Sequence, residues 1–204
     1  LTLGATPNTH AIDLLQSSLD SQPSSYATMD TPPKIQALLN TANALMGLTA
    51  TPGTYESGAS LPTYLGQGDL VALGINLPAT VTSGGIAAAL SAVASQPVST
   101  SIDALSKLQA IVNTAVAAEA KIAAYAQDNT GTTLGVPTPA DYQAMGLVDT
   151  ASNPLVTTNN LGAVNSALAS PAITASNAND PAQLNSIIQA YNHVIAGAAS
   201  GGSA

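Results

Sequence analysis

Apolar residues recur at three- and four-residue spacing along most of the chain. Leu105, Leu108, Ile111, Val112, Ala115 and Val116 form the longest such row. That spacing lines one face of an α-helix. Shorter rows run through Ile12, Leu15 and Leu19, through Ile86, Leu90 and Val93, and through Leu161, Val164 and Leu168. The polar positions between them supply helix punctuation. Thr31-Pro32, Thr138-Pro139 and Asp180-Pro181 each read as an N-cap followed by a first-turn proline. Thr100 is a candidate cap for the Leu105 row, and Asp103 follows where a carboxylate favours the helix start. That row stops at Asn129-Thr130-Gly131, and Gly146 reads as a C-cap. Pro23, Pro97 and Pro171 follow the shorter rows. The pattern predicts an all-α chain with little strand.

Three of the rows spell nearly the same peptide. Lys34-Ile35-Gln36-Ala37-Leu38-Leu39 matches Lys107-Leu108-Gln109-Ala110-Ile111-Val112, and Gln183-Leu184-Asn185-Ser186-Ile187-Ile188 is a looser copy. Ahead of them stand Ser17 to Pro23, Ser91 to Pro97 and Ser166 to Pro171, again alike. A short opening element, residues 69–75 and 141–147, precedes the last two copies. The period is about 75 residues, which suits an array of small domains better than a one-turn solenoid. The expected architecture is therefore tandem small bundles, with two to three helices per repeat and Pro/Gly/Thr-rich linkers. Residues 1–47 form a partial first repeat without its opening element. Residues 48–60 are a linker, 61–128 the second repeat, 129–135 a second linker, 136–197 the third repeat and 198–204 a flexible tail.

The partial first repeat leaves three alternatives. Its two helices could leave an apolar groove that a neighbouring subunit covers head to tail. Residues 64–75 could instead close the first pair, leaving the far end one element short. The missing element could also belong to a longer precursor.

Composition narrows the function. Charged residues are 7% and the net charge is −8, with Lys34, Lys107 and Lys121 the only basic residues besides two histidines. A phosphate-binding surface needs clustered cations, so nucleic acid is not an expected partner. An anionic membrane surface finds nothing basic to meet. Cys is absent, which excludes thiolate metal sites, disulfides and thiol nucleophiles. The first residues lack a basic stretch followed by an apolar run, so no signal peptide is expected within the chain. Residues 111–126 are apolar but include Glu119 and Lys121. No stretch reaches the roughly 20 apolar residues of a bilayer span, so no membrane insertion is expected.

Candidate chemistry is sparse. His10 and His193 stand in non-equivalent places, and a metal site takes several ligands at close spacing. Asp69, Asp103, Asp141 and Asp180 sit at helix starts, where capping accounts for them. Asp128-Asn129 and residues 177–180 could approach calcium, but neither fills an EF-hand pattern. Gly66-Gln67-Gly68 and Ser83-Gly84-Gly85 could cradle phosphate only with a preceding strand and a following lysine, and they have neither. No Gly-x-Ser-x-Gly elbow occurs. The expectation is no catalytic residue, no cofactor-binding residue, no metal ligand and no enzyme activity.

The last copy carries a resemblance. Ala140-Asp141-Tyr142 through Gly146, then Val156-Thr157-Thr158-Asn159-Asn160-Leu161-Gly162-Ala163-Val164, then Ile187-Ile188-Gln189-Ala190-Tyr191-Asn192, resembles a helical repeat of giant Ala/Thr-rich, adhesin-like bacterial surface proteins. The likeness is best over residues 136–197 and weakens in the other copies. The middle copy departs from it, with Ser83-Gly84-Gly85-Ile86 in place of Thr158-Asn159-Asn160-Leu161. The residues concerned pack and cap, so no catalytic role carries over. The resemblance implies a secreted chain at the cell surface with a spacer, adhesive or filament-forming role, such as a biofilm matrix. Its expected partners are copies of itself, head to tail, or other surface proteins. A small-molecule ligand is not expected. The alternative is a surface module that recognises glycan or protein through Tyr and Asn residues on loops.

Overall fold

The computed structural model describes residues 8–21, 31–49, 51–53 and 63–201. The described residues are all-α, with nine α-helices and no β-strand. They are α1 (Thr9–Ser21), α2 (Pro32–Leu48), α3 (Gln67–Ala72), α4 (Ser83–Ala94), α5 (Leu105–Asp128), α6 (Pro139–Ala144), α7 (Leu161–Leu168), α8 (Ala175–Ala178) and α9 (Pro181–Gly201). A lone antiparallel bridge joins Val148 to Pro154.

The two opening elements fold alike because their ends carry the same chemistry. In α3 the Asp69 Oδ2 accepts from the N-cap Gly66 N–H at 2.9 Å. In α6 the Asp141 Oδ2 accepts from the N-cap Thr138 N–H at 2.7 Å. Each helix then stops at a glycine with positive φ, Gly74 at 95° and Gly146 at 75°. The Gly74 N–H bonds Val71 O and the Ile75 N–H bonds Leu70 O. The Gly146 N–H bonds Gln143 O and the Leu147 N–H bonds Tyr142 O. These are two copies of the paired bonds of a Schellman stop.

Helix α5 departs from its expected start. It begins at Leu105, after a 3-10 turn over Ser99–Ser101, and Thr100 does not cap it. Its cap comes from α1: the Leu105 N–H donates to Ser17 Oγ at 3.0 Å. Asp103 instead accepts from Lys107 Nζ at 2.7 Å. The helix ends as expected at Asn129, left-handed at φ 58°. Thr31 also lacks a side-chain capping bond, whereas Asp180 Oδ1 accepts from the Ala182 N–H at 2.7 Å.

Helix α5 runs through the middle, against α4, α6, α8 and α1. Leu108, Val112, Ala115 and Ile122 on it are fully buried, while Ile111 is half-buried. The buried side chains form one cluster from Ala11 to Ile188, with members from all three expected repeats. On α1 the buried positions are Ala11, Leu14, Leu15 and Ser18. Ile12, expected on that face, is exposed.

Each short helix closes the hairpin before it. Helix α3 packs on α2, Ser18 Oγ donates to Leu73 O at 2.5 Å, and Thr41 Oγ1 donates to Asp69 Oδ1 at 3.5 Å. Helix α6 packs on α5, and Lys121 Nζ lies 2.8 Å from Asp141 Oδ2. Gly146 abuts α4 so closely that a Cβ there would lie 2.3 Å from Ser91 O. The first hairpin thus packs against the element that follows it, as the second of the three alternatives for the partial first repeat has it.

Candidate functional site

Three of the four helix-start acids face their own backbone, and the fourth, Asp103, pairs with Lys107 instead. Asp69, Asp141 and Asp180 each accept from an N–H of the helix they begin. Two loop aspartates do the same. Asp128 accepts from the Thr130, Gly131 and Thr133 N–H groups, at 3.0, 2.9 and 3.0 Å. The Thr130 and Gly131 N–H groups, first among the causes, hold its carboxyl far below the usual aspartate range. Asp149 accepts from the Asn153 Nδ2 and the Asn153 and Ala151 N–H groups. Bonds from Asn153 lead in holding that carboxyl down. Donors converging on these oxygens occupy the directions a cation would need. Among the described residues no group of three or more His, Cys, Asp or Glu is placed to hold a metal ion. Glu56 and Asp30 lie outside the described residues.

The remaining candidates stand apart. His10 on α1 has Nδ1 3.7 Å from Asp13 Oδ2 and 3.9 Å from Asp103 Oδ2. His193 is exposed on α9. Glu119 is buried on α5 and accepts from Thr82 Oγ1 at 2.9 Å. Burial raises its carboxyl above the ordinary glutamate value, and the Thr82 bond opposes that rise.

The glycine-rich turns serve packing and capping. The Gly85 N–H donates to Thr82 Oγ1 at 2.9 Å at the start of α4. A Cβ on Gly84 would lie 2.2 Å from Asn179 O. Gly66 is the N-cap of α3.

Three cavities open among the described residues. The largest, about 610 Å³, lies between α1, the end of α3 and the start of α5. Gln109 on its wall exchanges two bonds with the Asn76 backbone, at 2.7 and 2.9 Å. Two others measure about 410 and 250 Å³. No acid or base is among the lining residues of any of the three. A proton-transfer site needs such a group within reach.

Tyr142, Asn160 and Asn165 are turned inward. Tyr142 is fully buried and donates to Asn165 Oδ1 at 2.5 Å. Burial pushes its hydroxyl well above the usual tyrosine value. Asn165 Nδ2 donates to Pro137 O at 2.9 Å. Asn160 Nδ2 donates to Leu155 O at 2.9 Å and to Asn192 Oδ1 at 3.1 Å. Tyr64, by contrast, is exposed.

What stands open is a surface. Val194 and Ile195, adjacent on α9, are exposed, and so is Ser166 on α7. Sequence reasoning left these positions out because their repeat counterparts read as core. None of the described helices is long and apolar enough to cross a membrane. No family model, curated protein or solved structure matches the chain.

Proposed function

We propose that the chain is a non-catalytic extracellular structural or adhesive repeat protein of a bacterial cell surface. In this reading its repeats of about 75 residues are tandem small bundles that stack through their hairpins. It serves as a subunit of a filament or matrix, and its partners are copies of itself, head to tail, or other surface proteins. The observation that carries the reading is the direction of the polar side chains. Asp69, Asp128, Asp141, Asp149 and Asp180 all face backbone N–H groups of their own caps and loops. Chemistry directed inward in this way supports a scaffold more than a reaction.

Electron microscopy of the purified chain tests it. Fibres or strings of beads are expected. Isolated single particles at every concentration would sink the filament role.

Exposed Tyr64 and the Asn76-lined groove favour one second reading, a surface module that binds glycan or protein. Saturable binding on a glycan array, lost in Tyr64→Ala, would select it over the first.

A further inference from the structure

The groove between α1, the end of α3 and the start of α5 differs from the corresponding place beside α4, the end of α6 and the start of α9. The alike sequence stretches set Val148 against Asn76, Ala182 against Ser106 and Asn185 against Gln109. Val148 and Asn185 are buried, and Ala182 is half-buried. Those three residues line none of the three cavities. Asn76 and Ser106 are exposed, and both line the groove of about 610 Å³. The stretches therefore differ where the groove opens, with hydrogen-bonding heads in place of valine and alanine.

The wall of the groove is fixed by the chain itself. Gln109 Oε1 accepts from the Asn76 N–H at 2.7 Å, and Gln109 Nε2 donates to Asn76 O at 2.9 Å and to Asn113 Oδ1 at 2.7 Å. Both backbone groups of Asn76 are thereby used. The Gly74, Ile75 and Leu105 N–H groups are taken as well, by Val71 O, Leu70 O and Ser17 Oγ. An extended peptide pairs with free main-chain donors and acceptors, and this wall offers it no such edge. What the groove offers is the Asn76 amide, the Ser106 hydroxyl and an apolar face at Val71, which is 51% exposed. The amide and the hydroxyl each both donate and accept. No acid or base lines the groove, so a charged group entering it would lose water and gain no counter-ion. Lys107, next in sequence to Ser106, is committed to Thr100 O and Asp103 Oδ1.

We propose that this groove binds a neutral saccharide: ring hydroxyls bond the Asn76 amide and the Ser106 hydroxyl, and the C–H face of the ring lies on Val71. A sugar ring presents donors, acceptors and apolar C–H groups together and carries no charge, which matches what the groove offers. The volume of about 610 Å³ falls within the roughly 300–1,000 Å³ of ligand sites. The proposal rests on the reading of the chain as a surface module that binds glycan, and it gives that reading a site and a ligand class. It does not depend on self-association.

The test uses the full chain and an array of neutral hexose and N-acetylhexosamine oligomers, printed beside anionic glycans and peptides. Saturable binding to neutral oligomers is expected. Asn76→Val with Ser106→Ala installs the residues of the filled place. Gln109 bonds the Asn76 backbone and not its side chain, so circular dichroism of this double variant should match the wild type. Titration calorimetry with the best neutral oligomer should show binding weakened about tenfold or more, as the loss of two hydrogen bonds would give. In the wild-type chain, amide NMR shifts during the same titration should be largest within residues 71–76 and 105–109, a readout that needs no variant. Neutral-glycan binding that keeps its full strength in the double variant, with the shifts elsewhere, overturns the groove and leaves the glycan reading standing. Binding to anionic glycans or to peptides alone overturns the neutral saccharide as its ligand. No binding to any neutral oligomer at near-millimolar concentration overturns both the groove and the glycan reading.

Discussion

The junction of α1 with the start of α5 and that of α4 with the start of α9 fall at corresponding positions of the alike sequence stretches and are built from different chemistry. At the first, α1 meets the start of α5 through polar groups. His10 faces Asp103, Ser17 caps Leu105, and Asp103 pairs with Lys107. At the second, α4 meets the start of α9 through close backbone packing. Gly84 replaces His10, Asn179 replaces Asp103, and Pro181 replaces Leu105. Proline has no N–H, so the second junction has no donor needing the bond that Ser17 gives the first. The arrangement of helices is kept while its contacts are exchanged. What the alike sequence stretches share is the spacing of apolar rows and caps, and the chemistry where helices meet varies around it.

The largest expected effect breaks the second junction alone. Gly84→Val would place a branched side chain where even a Cβ lies 2.2 Å from Asn179 O. Backbone cannot move aside as a side-chain tip can, so α4 and α9 must separate. A loss of about 3 kcal/mol is expected, the top of the ordinary range for one substitution. For a domain of this size that lowers Tm by roughly 6–12 °C. His10→Ala at the equivalent place should cost under about 1 kcal/mol, since partly exposed ion pairs contribute little. Gly162→Ala, where nothing lies within 4 Å of the new Cβ, should stabilise α7 by about 0.5 kcal/mol. Thermal melts of the three variants check this order. A Gly84→Val melt equal to His10→Ala would erase the contrast between the junctions.

The second prediction concerns the short helices that close the hairpins. Gly146 has φ 75°, and its Cβ would meet Ser91 O at 2.3 Å. Gly146→Ala therefore suffers backbone strain and a clash together. A loss of about 2 kcal/mol is expected, within the cost of a residue held in a sparsely populated conformation. Hydrogen exchange should show α6 opening before α4 and α5. Uniform exchange across all three would mean that α6 does not rest on Gly146.

These contrasts also mark how far the sequence could be read. Helices α3 and α6 were legible because their signals are local. Asp69 and Gly74, like Asp141 and Gly146, lie within a few residues of the ends they fix. The start of α5 was not legible, because its cap, Ser17, comes from 88 residues away. Helix α8 has four residues and no apolar period to announce it. Two faces of α1 satisfy a helical period, and only packing chose Ala11 and Leu14 over Ile12. The exposed surface on α9 was hidden for a related reason. Val194 reads like Ala118 and Leu45, and its exposure depends on what lies beside it rather than on its own repeat.

A smaller effect separates the two opening elements. Asp141 accepts from both the Thr138 N–H and Lys121, whereas Asp69 has the Gly66 N–H and Thr41. Asp141→Asn should cost about 1 kcal/mol, typical of a lost cap, and Asp69→Asn somewhat less because no cation is lost. Chemical denaturation of the two variants checks the order. Adding Lys121→Met should erase the difference between them.

The smallest effect is one of sign, and it uses pH. Burial alone would raise the Asp141 carboxyl, but bonds from Lys121 and Thr138 and the Lys121 charge together hold it below its ordinary 3.8. Its contribution to stability is therefore complete above 3.8 and is lost as pH falls through the lower folded value. Glu119 behaves the opposite way. Burial raises it above 4.5, against the Thr82 bond. Its contribution is complete below 4.5 and is lost as pH rises through the higher folded value. Glu119→Gln keeps an oxygen for Thr82 and cannot ionise. The variant should be more stable than wild type at pH 8, and the advantage should shrink towards pH 4. Asp141→Asn should show the reverse trend, a deficit at pH 8 that narrows as pH falls below about 3.8. Melts of both variants against wild type across that range decide the matter. Parallel pH curves for Glu119→Gln and wild type would mean that water reaches the Glu119 carboxylate and that α4 and α5 do not seal over it.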